Sequence, residues 1–327
     1  MGSKQKSAGA DYVIYLAVRL FVGLIQAVPA TVAMACADGL AWLAYRVNRR
    51  HRNVALANLE AAYPHWAVAE RELTTKRCYR HFARMLVEIA VLPRKLRVEN
   101  WRNYATLVGG EQILGALLRP RPVLIVTAHF GNWELAGFAL GLFGFRTHAI
   151  ARVLDNVHLE RFLKRFRQRT GQTIIAKKDD FDRLSEILHA GGKVATLGDQ
   201  DAGSRGVFVQ FMNRPASAHK AVALMAMEYD ALMLVIGTPR VADGERWHYQ
   251  IQCEDVIDPR DYLTDPNAIK AITQRYHDAI AKLIDRHPEQ YFWLHRRWKT
   301  APPVRRKPQA DSGCEPTIEQ AADHLRR

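Results

Sequence analysis

The chain has 327 residues, nearly half of them apolar, which is enough for one large globular domain or two small ones and excludes a disordered protein. Its 47 Lys and Arg residues against 33 Asp and Glu give a formal net charge of +14, so we expect an anionic partner: nucleic acid, lipid headgroups or a phosphorylated substrate. The four cysteines are scattered, without a CxxC pair, which argues against a zinc site or a disulfide framework.

The N-terminal region is the first predicted element. From Tyr12 to Val47 most residues are apolar or aromatic, interrupted by Arg19 and Pro29. The apolar run Val13–Val28 is shorter than the ~20 residues that a straight membrane span needs, and a cleavable signal peptide fits poorly. We interpret residues 1–50 as a membrane anchor, embedded or interfacial and kinked at Pro29; the alternative is a pair of buried helices in a soluble protein. A basic cluster that would meet the lipid headgroups favours the anchor: Arg46, Arg49, Arg50 and Arg52.

Beyond the anchor, helix-like and strand-like segments alternate over residues 51–300. This pattern predicts an α/β domain with a mixed, largely parallel central sheet flanked by helices. The predicted strands are Pro122–Ala128, Thr147–Ala151, Thr173–Ala176, Lys193–Leu197, Leu232–Thr238 and Trp247–Gln252. The predicted helices are Arg52–Ala62, Ala67–Val91, Glu111–Leu118, Asn132–Leu142, Val157–Arg169, Phe181–Ala190, Ala218–Tyr229 and Ala268–Arg286. A turn at Asp243-Gly244 would add antiparallel strands at one side, and residues 301–327 are predicted to be a disordered tail.

The segment with the clearest chemistry is His129-Phe130-Gly131-Asn132-Trp133-Glu134, directly after the first of these strands. Gly131 permits a sharp turn and Asn132 is a good N-cap, so His129 should precede the helix and Glu134 should lie in its first turn, within reach of the ring. A carboxylate bonded to one ring nitrogen fixes the tautomer and leaves the other nitrogen free to accept a proton.

This pattern makes His129 a candidate general base with Glu134 as its partner. The alternative is a histidine that caps a helix or bonds within the core. Because the chain has no GxSxG elbow and no cysteine beside a base, the nucleophile would be a hydroxyl group of an acceptor substrate.

The H-x-x-x-x-[DE] signature resembles that of the lysophospholipid and glycerolipid acyltransferases, and more narrowly that of the lipid A late acyltransferases, the lauroyl and myristoyl transferases of Gram-negative bacteria. Several other segments match the narrower group: Asn58-Leu59, Tyr63-Pro64, Gly198 to Gly203, Gly206 to Phe211, and Pro288 to Lys299. The likeness extends to about Lys299. Arg152 and Asn156 match family positions, although the proline that usually follows each of them is replaced by Val153 and Val157.

The resemblance implies an O-acyltransferase at the cytoplasmic face of the inner membrane. Such an enzyme moves a fatty acyl chain from acyl carrier protein, or coenzyme A, to a hydroxyl of a phosphorylated lipid A precursor, without a further cofactor. His129 would be the base and Glu134 its partner.

Candidate substrate-binding residues lie at strand ends and in a mixed aromatic and basic segment, Tyr291–Lys299. They are Arg152, Asn156, Asp199, Gln200, Asp201, His295, Arg296 and Arg297. Arg152 could hold a phosphate or stabilise an oxyanion, or could simply cover a helix end. Two aspartates separated by one residue are a weak metal signal, so we expect no obligatory metal. The last three residues are candidates for the substrate phosphates.

Two further alternatives stay open. Lys164, Arg165, Arg167 and Arg169 could form a docking patch for an acidic acyl carrier protein, or a solvated helix face. The acceptor could instead be a lysophospholipid, an aminolipid or a mannosylated glycolipid. A non-catalytic lipid-binding or nucleic-acid-binding protein is the rival of another class, but without a nucleic-acid fold motif we expect no nucleic-acid partner.

Overall fold

The computed structural model describes residues 8–151, 153–176, 180–242 and 247–303. Arg152, the Asp243-Gly244 turn and the predicted tail beyond residue 303 therefore lie outside the described part of the chain.

A layered α/β arrangement is built from the following elements. The helices are α1 (Ala8–Ala27), α2 (Ala30–Val47), α3 (Arg49–Ala62), α4 (Val68–Lys95), α5 (Gly110–Leu117), α6 (Trp133–Leu142), α7 (Val157–Gln168), α8 (Phe181–His189), α9 (Ala221–Glu228) and α10 (Ala268–Arg286). The strands are β1 (Ala105–Val108), β2 (Val123–Thr127), β3 (Thr147–Ala151), β4 (Thr173–Ala176), β5 (Lys193–Leu197), β6 (Val207–Phe211), β7 (Arg214–Ala218), β8 (Leu232–Gly237), β9 (Arg240–Ala242) and β10 (His248–Ile257).

The main sheet has the order β1-β10-β8-β2-β5-β3-β4, and β9 pairs with β10 outside that path. Strands β8, β2, β5, β3 and β4 run parallel to one another, whereas β10 is antiparallel to β8 and parallel to β1. The first four residues of β2 are almost completely buried, as expected for a central strand covered on both faces. The predicted mixed, largely parallel sheet flanked by helices is confirmed.

Every predicted strand and helix between residues 52 and 286 has a counterpart, with ends that differ by a few residues. Strand β1 and the separate β6–β7 hairpin were not predicted as such. Their hairpin turns at Met212 and Asn213, which both have positive φ, as a two-residue type I′ turn requires. The antiparallel strands expected around residues 243–244 are β9 and β10.

The N-terminal helices break at Pro29, as predicted, because proline removes the backbone donor that a continuous helix would need there. Within α1, Gly9–Ala27 is the stretch among the described residues that is long and apolar enough to cross a bilayer, and only 6% of it is buried. Helix α2 packs on α4 through a seam of alanines. Most apolar side chains of α1 are therefore exposed, apart from Ile25, and the interpretation of this region as a membrane anchor stays a prediction.

Candidate active site

The turn after β2 is held in a conformation that only glycine tolerates. Gly131 has a φ of +60°, and a Cβ at this position would lie 1.8 Å from the carbonyl oxygen of Thr238. Asn132 then caps α6 as predicted, with Oδ1 accepting from the backbone N–H of Leu135 at 3.0 Å. The turn fixes His129 just before α6, at the carboxyl end of a central strand.

His129 is bonded to Asp199 through two contacts. The ring Nδ1 lies 2.9 Å from Oδ1 of Asp199, and the backbone N–H of His129 donates to Oδ2 at 3.1 Å. Strand β2 pairs with β5 so that Thr127 lies opposite Leu197, and each member of the His–Asp pair comes two residues later. The two loops thus leave the sheet side by side, although 70 residues separate them in the sequence.

The electrostatics of this pair suit a base. Burial lowers the pKa of His129, but the Asp199 carboxylate raises it by more, so the net pKa lies above the ordinary 6.5. Burial raises the pKa of Asp199, but His129, its hydrogen bonds and His295 hold it well below the usual range. Because the ionised carboxylate only accepts hydrogen bonds, Nδ1 carries the proton and Nε2 holds the lone pair of the neutral ring.

Glu134 does not supply that carboxylate, so the predicted pairing with His129 is wrong. Its oxygens accept from Nη2 and Nε of Arg167 at 2.5 and 3.0 Å, and one of them also accepts from Nε1 of Trp133 at 3.2 Å. Helix α6 begins at Trp133, which turns the Glu134 side chain toward α7 rather than back along β2. The ring of Trp133 lies 5.2 Å from that of His129 and forms one wall of the site. Because Glu134 accepts a hydrogen bond from Trp133, it helps to position this wall.

An apolar pocket opens beside this wall. It extends between α6 and the face of β2, β5 and β3, and Glu134 and Arg167 lie among its lining residues. Its other walls are mainly small or aliphatic: Ile125, Ala136, Gly137, Leu140, Ala149 and Ala195. Ile125, Ala195 and Ala149 occupy matching positions on three adjacent strands, two residues before the strand ends, so the pocket reaches below the level of His129.

The segment from Pro288 to Thr300, here called the strap, closes the other side of the site. The backbone N–H of Phe292 donates to the carbonyl of His129 at 2.9 Å, and Tyr291 forms a β-bridge with Phe130. The strap brings the ring of His295 to 6.0 Å from that of His129. Burial lowers the pKa of His295 to about 4, so it is neutral near pH 7.

His129, Asp199 and His295 each offer one ligand atom, and these atoms lie within 4.8 Å of one another. Two imidazoles and a carboxylate form a donor set that zinc accepts. The expectation that no metal is needed remains a prediction.

Three other predicted substrate-binding residues use their side chains in contacts within the protein. Asn156 caps α7 and donates to the carbonyl of Asp11 at 2.8 Å. Asp201 accepts from the backbone and hydroxyl of Thr300, which ties the β5 loop to the strap. Arg297 is completely buried, donating to Ser217 at 2.8 Å and facing His277 at 3.1 Å. Its predicted contact with a headgroup phosphate is therefore wrong, because the guanidinium is enclosed by the core.

The remaining predicted residues are Gln200 and Arg296, both exposed, and Arg152, outside the described residues. Arg167, predicted as part of a docking patch, is mostly buried against Glu134, whereas Lys164 and Arg165 of α7 and Arg169 directly after it are exposed.

Comparison with known proteins identifies the family. The sequence profile of the bacterial lipid A biosynthesis acyltransferases matches residues 1–300. The chain belongs to this family. It is 30% identical over 259 residues to the lipid A biosynthesis palmitoleoyltransferase of Escherichia coli strain K12, covering 78% of this chain and 80% of that protein.

Two further relatives define the range of the likeness. The lipid A biosynthesis lauroyltransferase of the same strain is 26% identical over 285 residues, 85% of this chain and 89% of the relative. A phosphatidylinositol mannoside acyltransferase of Mycolicibacterium smegmatis is 23% identical over 193 residues, 58% of this chain and 60% of the relative. The lipid A acyltransferase assignment makes this protein an enzyme that transfers acyl groups.

One residue of this acyltransferase site had no role assigned from the sequence. Asn58 of α3 is buried and donates to the carbonyls of Trp293 and His295 at 2.8 and 2.7 Å, which fastens the strap that covers His129. The signal for such a role is an amide within the otherwise apolar stretch Val54–Leu59, because a buried polar group needs partners.

Proposed function

We propose that this enzyme is a membrane-associated O-acyltransferase that moves a fatty acyl chain from acyl carrier protein, or coenzyme A, to a hydroxyl of a lipid A precursor. The observation that carries the chemistry is the His129–Asp199 pair at the ends of two adjacent strands, beside an apolar pocket. Family membership supplies the acceptor class.

In the proposed reaction, Nε2 of His129 accepts the proton of the acceptor hydroxyl as the oxygen attacks the thioester carbonyl. Asp199 stabilises the imidazolium through Nδ1. The C–S bond breaks as the tetrahedral intermediate collapses, and the imidazolium returns its proton to the leaving thiolate. The products are the new ester and the free thiol, so no group on the protein is acylated and no cofactor is consumed.

The apolar pocket is proposed to hold the donor's acyl chain. Its lining of Ile, Leu and Ala side chains favours an apolar chain, and Trp133, whose ring lies 5.2 Å from that of His129, is also part of the lining. The small residues on β3 and β5 would set how long a chain fits.

The proposed place of action is the cytoplasmic face of the inner membrane. Helix α1 exposes Leu16, Leu20 and Leu24, and α2 exposes Trp42 and Leu43 farther along. Burying such side chains in the lipid interface is favourable, and the basic residues that follow suit anionic headgroups.

The deciding assay uses the purified chain in detergent with acyl carrier protein and coenzyme A donors and a lipid A precursor. We expect an acylated product from wild type, its near-complete loss in His129→Ala, and no effect of EDTA because the base needs no metal. In a deletion strain, lipid A should lack one acyl chain by mass spectrometry. Unchanged lipid A with altered phospholipids would contradict the proposal.

A second acceptor class has one specific observation in its favour, the likeness to a phosphatidylinositol mannoside acyltransferase. The same assay with a mannosylated glycolipid separates the two, because the preferred acceptor has the higher kcat/KM. The shorter and weaker match places this candidate second.

A further inference from the structure

A second pocket, here called the arginine pocket, lies on the other side of the catalytic turn. It is lined by Arg77, Arg80, His81, Arg84, Arg240, Val241, Glu289 and Gln290, with a volume of about 330 Å³. A water molecule takes about 30 Å³ in the liquid, so there is room for a phosphate group with several waters. The lining thus contains four arginines and one carboxylate, that of Glu289.

Three of the four arginines are held by carboxylates that lie outside the pocket lining. Asp38 of α2 accepts from Nε and Nη2 of Arg84 at 2.6 and 2.7 Å, and from Nε of Arg80 at 3.1 Å. Glu88 lies 2.5 Å from Nη1 of Arg240, whose side chain is only 7% exposed. Neither Asp38 nor Glu88 lines the pocket, so both orient the cations without occupying the space in front of them.

The pocket shares its backbone with the catalytic turn. His81 bonds the carbonyl of Gly131 through Nε2 at 3.2 Å, and the N–H of Gly131 donates to the carbonyl of Gln290. The side chain of Gln290 in turn pairs with both backbone groups of Arg240 at 2.7 and 2.8 Å. A group bound in this pocket is therefore held at a fixed position relative to His129.

We propose that the arginine pocket binds a phosphate group of the glycolipid acceptor and thereby places the acceptor hydroxyl at His129. This inference rests on the proposed function. Guanidinium groups bind phosphate with paired, charge-assisted hydrogen bonds, and a rigidly held cluster loses little entropy in doing so. The arginine pocket would thus take the role that was predicted for Arg297, whose guanidinium is enclosed by the core.

The test removes the two exposed arginines, Arg77→Gln with Arg80→Gln, and leaves the Arg84–Asp38 and Arg240–Glu88 pairs in place. Initial rates are measured in neutral detergent micelles with a phosphorylated lipid A precursor and with the same glycolipid after phosphatase treatment. The matched control is Arg119→Gln with Arg183→Gln, which removes the same charge from exposed positions outside the pocket lining.

For the phosphorylated acceptor we expect the KM of the pocket variant to rise about tenfold or more, with kcat retained, because charge-assisted hydrogen bonds are lost. The KM for the treated acceptor and both values for the control should stay at wild-type levels. Glu289→Gln should act in the opposite direction, lowering the KM for the phosphorylated acceptor only, because it removes the carboxylate that repels phosphate.

Equal effects on both acceptors, or no effect on either, would overturn the proposal. Two other results would assign the pocket to a different ligand and so also overturn the proposal. One is an effect seen only with phosphatidylglycerol vesicles, which indicates a membrane headgroup. The other is competition by inorganic phosphate as strong as that by the glycolipid.

If wild type acylates neither acceptor, the proposed function fails, and the pocket is then judged by binding alone. Equilibrium dialysis against micelles of the phosphorylated and the treated glycolipid gives that answer. Phosphate-dependent binding that the pocket variant loses supports the inference, and equal binding of both glycolipids contradicts it.

Discussion

At the scale of single residues, the position of His129 before α6 was predictable and its carboxylate partner was not. His129, Gly131 and Asn132 act through local geometry: a turn that needs glycine and a cap that needs a short acceptor. The partner depends on which strand lies beside β2. Asp199 follows β5, and no local pattern in the sequence shows that β5 rather than β3 or β4 is the neighbour.

The pH dependence of the rate distinguishes the two carboxylates. His129 is a base only when neutral, so the rate falls as pH drops through its pKa, which Asp199 holds above 6.5. In Asp199→Asn we expect this acidic limb of the pH–rate profile to move to lower pH and kcat to fall on the order of 10²- to 10⁴-fold. Glu134→Gln should leave the limb where it is. A limb that moves in Glu134→Gln and not in Asp199→Asn would show the assignment of the partner to be wrong.

The ion pair of Glu134 and Arg167 has a structural effect that can be measured separately. Both side chains are mostly buried, so removing Glu134 leaves a partly desolvated guanidinium without its partner. We expect Glu134→Ala to cost about 1–3 kcal/mol in the free energy of unfolding. Arg167→Met alone and together with Glu134→Ala completes a double-mutant cycle in urea. Additive effects of the two changes would contradict a direct interaction.

At the scale of elements, apolar runs and helix caps predicted most segments, whereas β6 and β7 were missed as a hairpin. Their turn is Met212-Asn213, without the glycine that usually marks positive φ, and Asn213 is stabilised instead by a bond to the carbonyl of Ala62. Such support comes from the folded protein and is not visible along the sequence.

Helix α1 should dominate membrane attachment because its leucines have no protein cover. Replacing Leu20 and Leu24 with Ser is expected to lower partition into anionic vesicles by on the order of a hundredfold, since each leucine contributes about 1.5 kcal/mol or more when buried. The matched control replaces Leu118 and Leu263, which are equally exposed but lie elsewhere. Sedimentation with vesicles measures both. Equal losses in the two proteins would mean that α1 is not the anchor.

Helix α7 offers a test of the donor. Its exposed cations Lys164 and Arg165, with Arg169 directly after its end, accompany Arg167, which borders the apolar pocket. If an acidic carrier protein docks there, Lys164→Glu with Arg165→Glu should raise the KM for acyl carrier protein donors about tenfold and spare coenzyme A donors. A similar increase with both donors would place the effect on the fold or on the pocket instead.

At the scale of the whole molecule, the site is assembled from distant parts of the chain. The β2 turn supplies His129, the β5 loop supplies Asp199, and the strap covers both through Phe292 and Thr300. Composition and periodicity predicted the class of fold but not this closure, because the strap contains no long regular element and is fixed by side chains such as Asn58.

Loosening the strap should therefore reduce activity and stability together. Asn58→Ala leaves two carbonyls of the strap without their donor, and we expect a loss of about 2–4 kcal/mol and a lower kcat. Leu188→Ala, a remote core change of similar cost, serves as the control. If kcat at a temperature where both variants are folded falls equally in both, the strap has no specific effect on the site.

The position of the strap also orders events during synthesis. Helix α1 leaves the ribosome before the strap does, and Phe292 and Thr300 emerge only after the strands and helices between them and α1 have been made. Until then the backbone around His129 lacks its last contacts. The nascent chain thus presents α1 while the backbone around His129 is still incomplete, and the proposed reaction becomes possible only once the strap is in place.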